Sequence, residues 1–183
     1  MRTSGVLLPV FSLPSPHGIG CFSKEAYEWV DFLKLAGQQY WQILPLGPTS
    51  YGDSPYQSFS TYAGNPYFID LEELVEAGFL TRKEVEACDC GKAARDIDYG
   101  LFMAVKDIFG GNSWDQWAED IRYRWDNAMW YYKTNYSKEI GFYVWLQYLF
   151  FTQWQKLKKY ANDKGLKIIG DIPIYVAYDS ADV

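Results

Sequence analysis

The chain has 183 residues, with 17 Lys or Arg against 23 Asp or Glu, a net charge of −6; 49% of its residues are hydrophobic and 19% aromatic. That is the composition of a chain that packs a core, and it rules out a disordered polymer. The acidic balance argues against nucleic acid and against an anionic membrane surface as partners, and the length falls short of the roughly 250 residues of a complete eight-stranded α/β barrel.

In chain order, residues 6–11 are short, apolar and broken by Pro9, which predicts a buried strand rather than a signal peptide. Ser23 then offers an N-cap, Glu25 lies in the first turn, and Ala26, Trp29, Val30, Leu33 and Ala36 recur at helical spacing until Gly37. Residues 40–44 give a second strand, stopped by Pro45, Gly47 and Pro48. Strand, helix, strand within about 40 residues is a βαβ unit, the building block of a parallel sheet. Residues 47–68 form a long loop without period, and 71–77 a short helix. Thr81, Arg82, Lys83 and Glu84 fit a capping box, and 88–94 are a small, polar loop. Helices are predicted over 101–109 and 114–132, and a longer one from residue 138 or 139 to about 164. Leu146, Phe150, Trp154, Leu157 and Ala161 share one face of the longest. A third strand is predicted over 167–176. Trp29 and Trp154 fall on apolar stripes, and Trp114, Trp117, Trp125 and Trp130 recur in one stretch, so all six are expected to pack.

The cysteines, Cys21, Cys88 and Cys90, are an odd and sparse set that suggests a reducing, cytoplasmic compartment. Cys88 and Cys90 lack the further ligands a zinc site wants, and His17, the sole histidine, cannot fill every role of a histidine-based triad or zinc hydrolase. No metal site is expected, and the apolar runs are shorter than the ~18–20 residues of a membrane span.

The loop is the chemically informative stretch. It mixes flat rings with short hydrogen-bonding side chains, which suits a pyranose with its C–H face and hydroxyl rim. Tyr51 and Tyr56 can cover the face, and Asp53, Gln57 and Asn65 can bond the rim. Pro55 and Pro66 stiffen it. It leaves the carboxyl end of the second strand, the end at which parallel α/β folds bind ligands. The alternative is that these tyrosines only pack the loop onto the fold. Asp171, inside the third strand run, either points into a cleft or holds the next loop through backbone amides. Asp179 and Asp182 read as turn and cap residues.

Ser4-Gly5-Val6-Leu7-Leu8-Pro9, Pro16-His17-Gly18-Ile19-Gly20, Trp41-Gln42-Ile43-Leu44-Pro45-Leu46-Gly47-Pro48, the stretch from 51 to 71 and Ile169-Gly170-Asp171-Ile172-Pro173-Ile174-Tyr175-Val176-Ala177 resemble the 4-α-glucanotransferases, or amylomaltases. The most specific part is Gly52-Asp53-Ser54-Pro55-Tyr56-Gln57-Ser58 with Gly64-Asn65-Pro66. The resemblance implies a (β/α)8 barrel, of which this chain would be the amino-terminal part. Its first three parallel strands would belong to one domain over 1–183, with a helical insertion over about 71–137. It implies transfer of α-1,4-glucan segments between maltooligosaccharides with retention of configuration. One carboxylate would form a covalent glycosyl-enzyme, another would act as acid and base, and a sugar hydroxyl would take the glycosyl group. No metal or organic cofactor is implied. Tyr51 resembles a tyrosine in glucan contact away from the cleavage point, Tyr56 one lying against the sugar beside the scissile bond, and Asp53 and Ser54 belong to the same signature. Asp171 resembles a supporting aspartate. The family's catalytic carboxylates lie on later strands, so no residue here is expected to be catalytic. The isolated chain is expected to be inactive, with the remainder of the barrel as a partner. The alternatives are a maltooligosaccharide-binding module without catalysis and an inactive truncated product. The stretch Asp96-Ile97-Asp98-Tyr99-Gly100-Leu101-Phe102-Met103 resembles the junction of two family segments normally separated by further helical sequence.

Overall fold

The computed structural model describes residues 2–50, 52–81, 83 and 97–183. Tyr51, Arg82 and Glu84 of the expected capping box, and residues 88–94 with Cys88 and Cys90 lie outside them. The described elements are β1 (Gly5–Leu7), a 3₁₀ turn (Val10–Ser12), α1 (Lys24–Leu35), β2 (Tyr40–Gln42), a 3₁₀ turn (Pro66–Phe68), α2 (Leu71–Glu76), α3 (Ile97–Ile108), a 3₁₀ turn (Trp114–Gln116), α4 (Glu119–Arg122), α5 (Asp126–Asn135), α6 (Ser137–Asp163) and β3 (Lys167–Ile169). None of these helices is long and apolar enough to cross a membrane. The chain forms two compact units. One comprises Met1–Pro45, Tyr67–Gly91 and Leu149–Ile172, the other Leu46–Pro66, Lys92–Tyr148 and Pro173–Val183.

In the first unit the three strands pair in parallel in the order β1-β2-β3, with Val6, Trp41 and Ile168 in register. Trp41 is fully buried at the centre, and its indole N–H donates to the Leu8 carbonyl at 2.8 Å. The strands are shorter than the sequence suggests. Residues 6–11 do not form one buried strand: β1 ends at Leu7, Pro9 has no N–H to give a ladder, and the chain turns into the 3₁₀ segment that buries Val10. Likewise β3 ends at Ile169, well before residue 176.

Helix α1 follows its predicted stripe through Ala26, Val30 and Leu33, which are buried, while Trp29 is half-buried and Ala36 exposed. The Ser23 hydroxyl donates to the Glu25 carboxylate rather than capping a backbone amide, and that bond holds the Glu25 carboxyl below its usual range. Gly37 ends the helix at φ +71°, a conformation that costs glycine nothing. Helix α2 starts where expected, capped by Asp70, whose carboxylate accepts from the Glu72 N–H at 3.0 Å.

In the second unit, Phe59, Ala63, Tyr99, Leu101, Met103, Val105, Trp117, Ile121, Ala128, Ile140 and Tyr143 form one core. The single helix predicted over 114–132 is three segments. Trp117 (ψ 167°) and Trp125 (ψ 143°) are extended, and Arg124 takes a left-handed turn at φ +56°. Trp117 is buried and Trp114 half-buried, but Trp125 and Trp130 are 50% and 69% exposed, so the expectation that all four pack is wrong for two of them. The long helix arrives as predicted in α6, and its buried positions include two glutamines, Gln147 and Gln153.

Candidate functional site

The loop after β2 falls in the second unit and is built as a hairpin with a buried base and an exposed tip. Thr49 and Ser58 pair as an antiparallel bridge, and the Ser50 N–H donates to the Gln57 carbonyl at 2.8 Å. Inside that pair the chain turns tightly. The Asp53 N–H donates to the Ser50 carbonyl at 3.3 Å, and the Gln57 N–H to the Ser54 carbonyl at 3.0 Å. Gly52 (φ +82°) and Asp53 (φ +52°) both take left-handed conformations, which glycine adopts freely and aspartate tolerates through local hydrogen bonding. The Thr49 hydroxyl supplies such a bond to Asp53 Oδ1 at 3.3 Å.

The base is pinned by side chains from elsewhere in the unit. The Ser58 hydroxyl lies 2.6 Å from the Pro48 carbonyl and 2.7 Å from the Ser60 carbonyl, and accepts from the Ser60 N–H at 3.2 Å. Gly47 lies against this hydroxyl: a Cβ there would stand 3.0 Å from Ser58 Oγ. Asp182 accepts from the Ser60 hydroxyl at 3.0 Å and from the Thr61 N–H at 2.6 Å. Gln147, reaching from α6, accepts from the Gly64 N–H at 2.6 Å and donates to the Gly64 carbonyl at 2.7 Å. The Asn65 N–H donates to the Leu46 carbonyl at 2.7 Å and closes the loop. Lys106 Nζ lies 5.3 Å from the Phe59 ring centre and pairs with Asp179 at 2.5 Å, with both side chains about nine-tenths buried. Asp179 and Asp182 are therefore long-range anchors, a larger part than the local turns and caps the sequence suggests.

Gly52, Asp53, Tyr56 and Gln57 are exposed at the tip, with Tyr56 46% accessible. Ser54 is half-buried, and its hydroxyl accepts from the Tyr56 N–H at 3.4 Å. Asp53, Ser54 and Tyr56 thus share one turn. Tyr51 lies outside the described residues. Asp171 belongs to the first unit, at the carboxyl end of β3 and two residues past it, not inside the strand as the sequence suggests. It is half-buried, and its Oδ1 accepts from the Ile172 N–H at 2.8 Å, a bond of the loop-holding kind. Among the described residues no three His, Cys, Asp or Glu side chains gather as a metal centre.

Sequence reasoning missed Gln147, Lys106 and the anchoring use of Asp182. One signal was available: Gln147 and Gln153 occupy positions of the apolar stripe that runs through Ile140, Tyr143, Phe150, Leu157 and Ala161. A polar residue kept on a buried stripe must find a partner.

The sequence profile described as 4-alpha-glucanotransferase matches residues 8–96 and 92–183, two pieces that meet beside the stretch that looks shortened. The 4-alpha-glucanotransferase of Clostridium butyricum is 44% identical over 214 aligned positions, covering 95% of this chain and 44% of the relative. That of Streptococcus pneumoniae serotype 4 is 41% identical over 224 positions, covering 100% and 44%. An alignment of 224 positions over 183 residues means that the relative carries sequence this chain lacks. Among solved structures, the amylomaltase from Streptococcus agalactiae in complex with acarbose superposes with a TM-score of 0.92 at 37% identity, covering 100% of this chain and 45% of the other. The chain spans less than half the length of these relatives. Three parallel strands in order, the hairpin that follows the second of them and the matched profile agree: the chain belongs to the 4-α-glucanotransferase family and carries part of its barrel.

Proposed function

We propose that this chain is the amino-terminal portion of a 4-α-glucanotransferase and supplies part of its glucan-binding surface, the exchange of α-1,4-glucan segments being completed by residues outside these 183. The observation that carries the reading is the hairpin tip. The Tyr56 ring and the Asp53 carboxylate are both exposed on one turn, whose base is fixed by Gln147 and Asp182. The ring offers an apolar face to a pyranose, and the carboxylate accepts from its hydroxyls. A turn already ordered by its own hydrogen bonds loses little entropy when sugar binds. Ser54 keeps the turn in shape and Asp171 braces the chain after β3. Tyr51, next to Gly52, is the further glucan contact the family resemblance assigns. The acarbose held by the Streptococcus agalactiae relative supports a saccharide as the ligand. A cytoplasmic setting agrees with the cysteine usage.

Isothermal calorimetry with maltoheptaose tests the binding role. The chain is expected to release heat at millimolar sugar, and Tyr56→Ala to weaken binding by about a kcal/mol through loss of ring contact. No heat with the parent chain, or equal affinity in the variant, removes the tip from the site. Maltotriose incubated with the purified chain is expected to give neither glucose nor longer maltooligosaccharides. Their appearance at a rate proportional to protein would show that catalytic carboxylates are already present here.

A further inference from the structure

Residues 174–176 run exposed after β3, and the chain then docks within the second unit. A buried ammonium fixes that landing. Lys106 of α3 is 6% accessible, and its Nζ donates to Asp179 Oδ2 at 2.5 Å and to the Asn112 carbonyl at 3.2 Å. Asp179 Oδ1 accepts from the Trp114 N–H at 3.3 Å, and the Trp114 indole N–H donates to the Tyr178 carbonyl at 2.7 Å. A buried ammonium deprived of its carboxylate is costly, so pairing with Asp179 disfavours other placements of the segment.

The landed segment in turn holds the hairpin that follows β2. The Ala181 N–H donates to the Phe59 carbonyl at 2.9 Å. One oxygen of Asp182 accepts from the Ser60 hydroxyl at 3.0 Å and the other from the Thr61 N–H at 2.6 Å. These three residues directly follow Ser58, which pairs with Thr49 across the hairpin. Lys106 meets both partners, the segment through Asp179 and the hairpin base through the Phe59 ring, 5.3 Å from its Nζ. Asp182 is exposed, yet both its oxygens bond the base of the hairpin. We propose that Asp182 is a positioning residue: through Ser60 and Thr61 it holds the hairpin tip in the arrangement that takes sugar, without touching sugar, and the Lys106–Asp179 pair sets Asp182 in place. The course of the chain after β3 thereby governs the shape of the loop after β2. That the ordered tip takes glucan rests on the reading given above; that Asp182 orders it does not.

The chemistry required of residue 182 is hydrogen bonding, not charge. The Thr61 N–H needs an acceptor, and the Ser60 hydroxyl can donate or accept. Asparagine can meet both, with its oxygen to Thr61 and its amide N–H to Ser60, whereas alanine meets neither.

Residue-resolved amide hydrogen exchange, with calorimetry on maltoheptaose, tests the proposal. In Asp182→Ala the Ser50 and Gln57 amides, which bond within the hairpin, should exchange about tenfold faster than in the parent. The Phe109 amide at the end of α3 and the Ile43 amide, bonded to the Ile169 carbonyl, should keep the parent's rates. The thermal midpoint should stay close to the parent's, because Asp182 is exposed. Maltoheptaose affinity should fall about fivefold. Asp182→Asn should restore the exchange rates and the affinity, whereas a carboxylate acting through its charge would lose as much in asparagine as in alanine. Lys106→Met/Asp179→Asn removes the pair without stranding a buried charge and should accelerate the same two hairpin amides. If the parent releases no heat with maltoheptaose while Asp182→Ala still accelerates those amides, the glucan reading fails and the positioning role of Asp182 stands. Parent-like exchange at Ser50 and Gln57 in Asp182→Ala overturns the proposal, as does an asparagine variant that behaves like alanine. Faster exchange that extends to Phe109 also overturns it, since Asp182 would then hold the whole unit together and not the hairpin. Faster exchange at the tip with unchanged affinity overturns the link from Asp182 to sugar.

Discussion

Gln147 and Gln153 are 0% and 2% accessible on a helix face that is otherwise apolar. Each grips one distant residue by both its backbone N–H and its backbone carbonyl: Gln147 grips Gly64, and Gln153 accepts from the Asp70 N–H at 2.7 Å and donates to its carbonyl at 3.1 Å. A primary amide carries one acceptor and a donor side by side, so the two backbone groups of a residue are satisfied by one side chain without a strand. Gln147→Leu fits the stripe but leaves the buried N–H and carbonyl of Gly64 without partners. With about 1–3 kcal/mol for each of the two unsatisfied groups, urea unfolding should show a loss of about 2–6 kcal/mol. A loss within experimental error would mean that water or a shifted loop satisfies Gly64. This clasp was only half legible. The sequence shows a polar residue on a buried stripe, but the partner stands 83 positions away and no local pattern names it. That Asp53, Ser54 and Tyr56 share one turn was legible, because the glycine, proline and short polar groups that shape it lie within a few positions of one another.

At the scale of elements, periodicity worked where one helix spans the whole pattern. The α1 stripe and the length of α6 follow from apolar spacing and from the glycines that end them. It failed over 114–132, where Trp117, Ile121 and Ala128 keep a helical rhythm across breaks made by extended and left-handed residues that are neither glycine nor proline. The strands came out short because Pro9 and the turn after Ile169 interrupt ladders that an apolar run alone suggests. Between elements, α1 is tied to the end of α6 by Asp31, which accepts from Lys164 at 2.7 Å and from the Tyr160 hydroxyl at 2.9 Å. The Lys164 bond first, then the Tyr160 bond, hold the Asp31 carboxyl below its usual range, and the bond to Asp31 raises the Lys164 ammonium. A lowered carboxylate stabilises the fold above its unfolded pKa and loses that contribution as pH falls through its folded one. A raised ammonium loses its contribution as pH rises through its folded pKa. The tie therefore acts between the acid titration of Asp31 and the alkaline titration of Lys164. Asp31→Asn should lower the thermal midpoint near neutrality, and the gap between variant and parent should close as pH falls through the lowered titration of Asp31. Both groups are more than one-third exposed, so the gap should be small and should shrink in molar salt. A gap independent of pH would assign the effect to packing.

For the molecule as a whole, length and order of elements were legible early: a chain too short for eight strands, beginning strand, helix, strand. What the sequence misplaced is the run after β3. Read as strand, residues 170–176 should be half-covered; instead Ile174 and Tyr175 are both 85% exposed, with Ile172, Val176 and Tyr178 exposed beside them in sequence. Among the described residues β3 pairs on one side only, with β2. Uncovered isoleucine and tyrosine side chains in one run are a surface that other chains can find. Whatever covers this run in a longer protein, the 183 residues alone present it to water. The chain should then bind a hydrophobic dye such as anilinonaphthalene sulfonate under native conditions and show a sedimentation coefficient that rises with concentration. Replacing Ile174 and Tyr175 by serine removes the two most exposed apolar side chains of the run and no buried one, so it should reduce both signals without lowering the thermal midpoint. If the parent neither binds dye nor associates, the run folds back on its own unit in solution and the edge is already protected. If the serine variant associates as before, the contact lies elsewhere, and β3 itself becomes the surface to block.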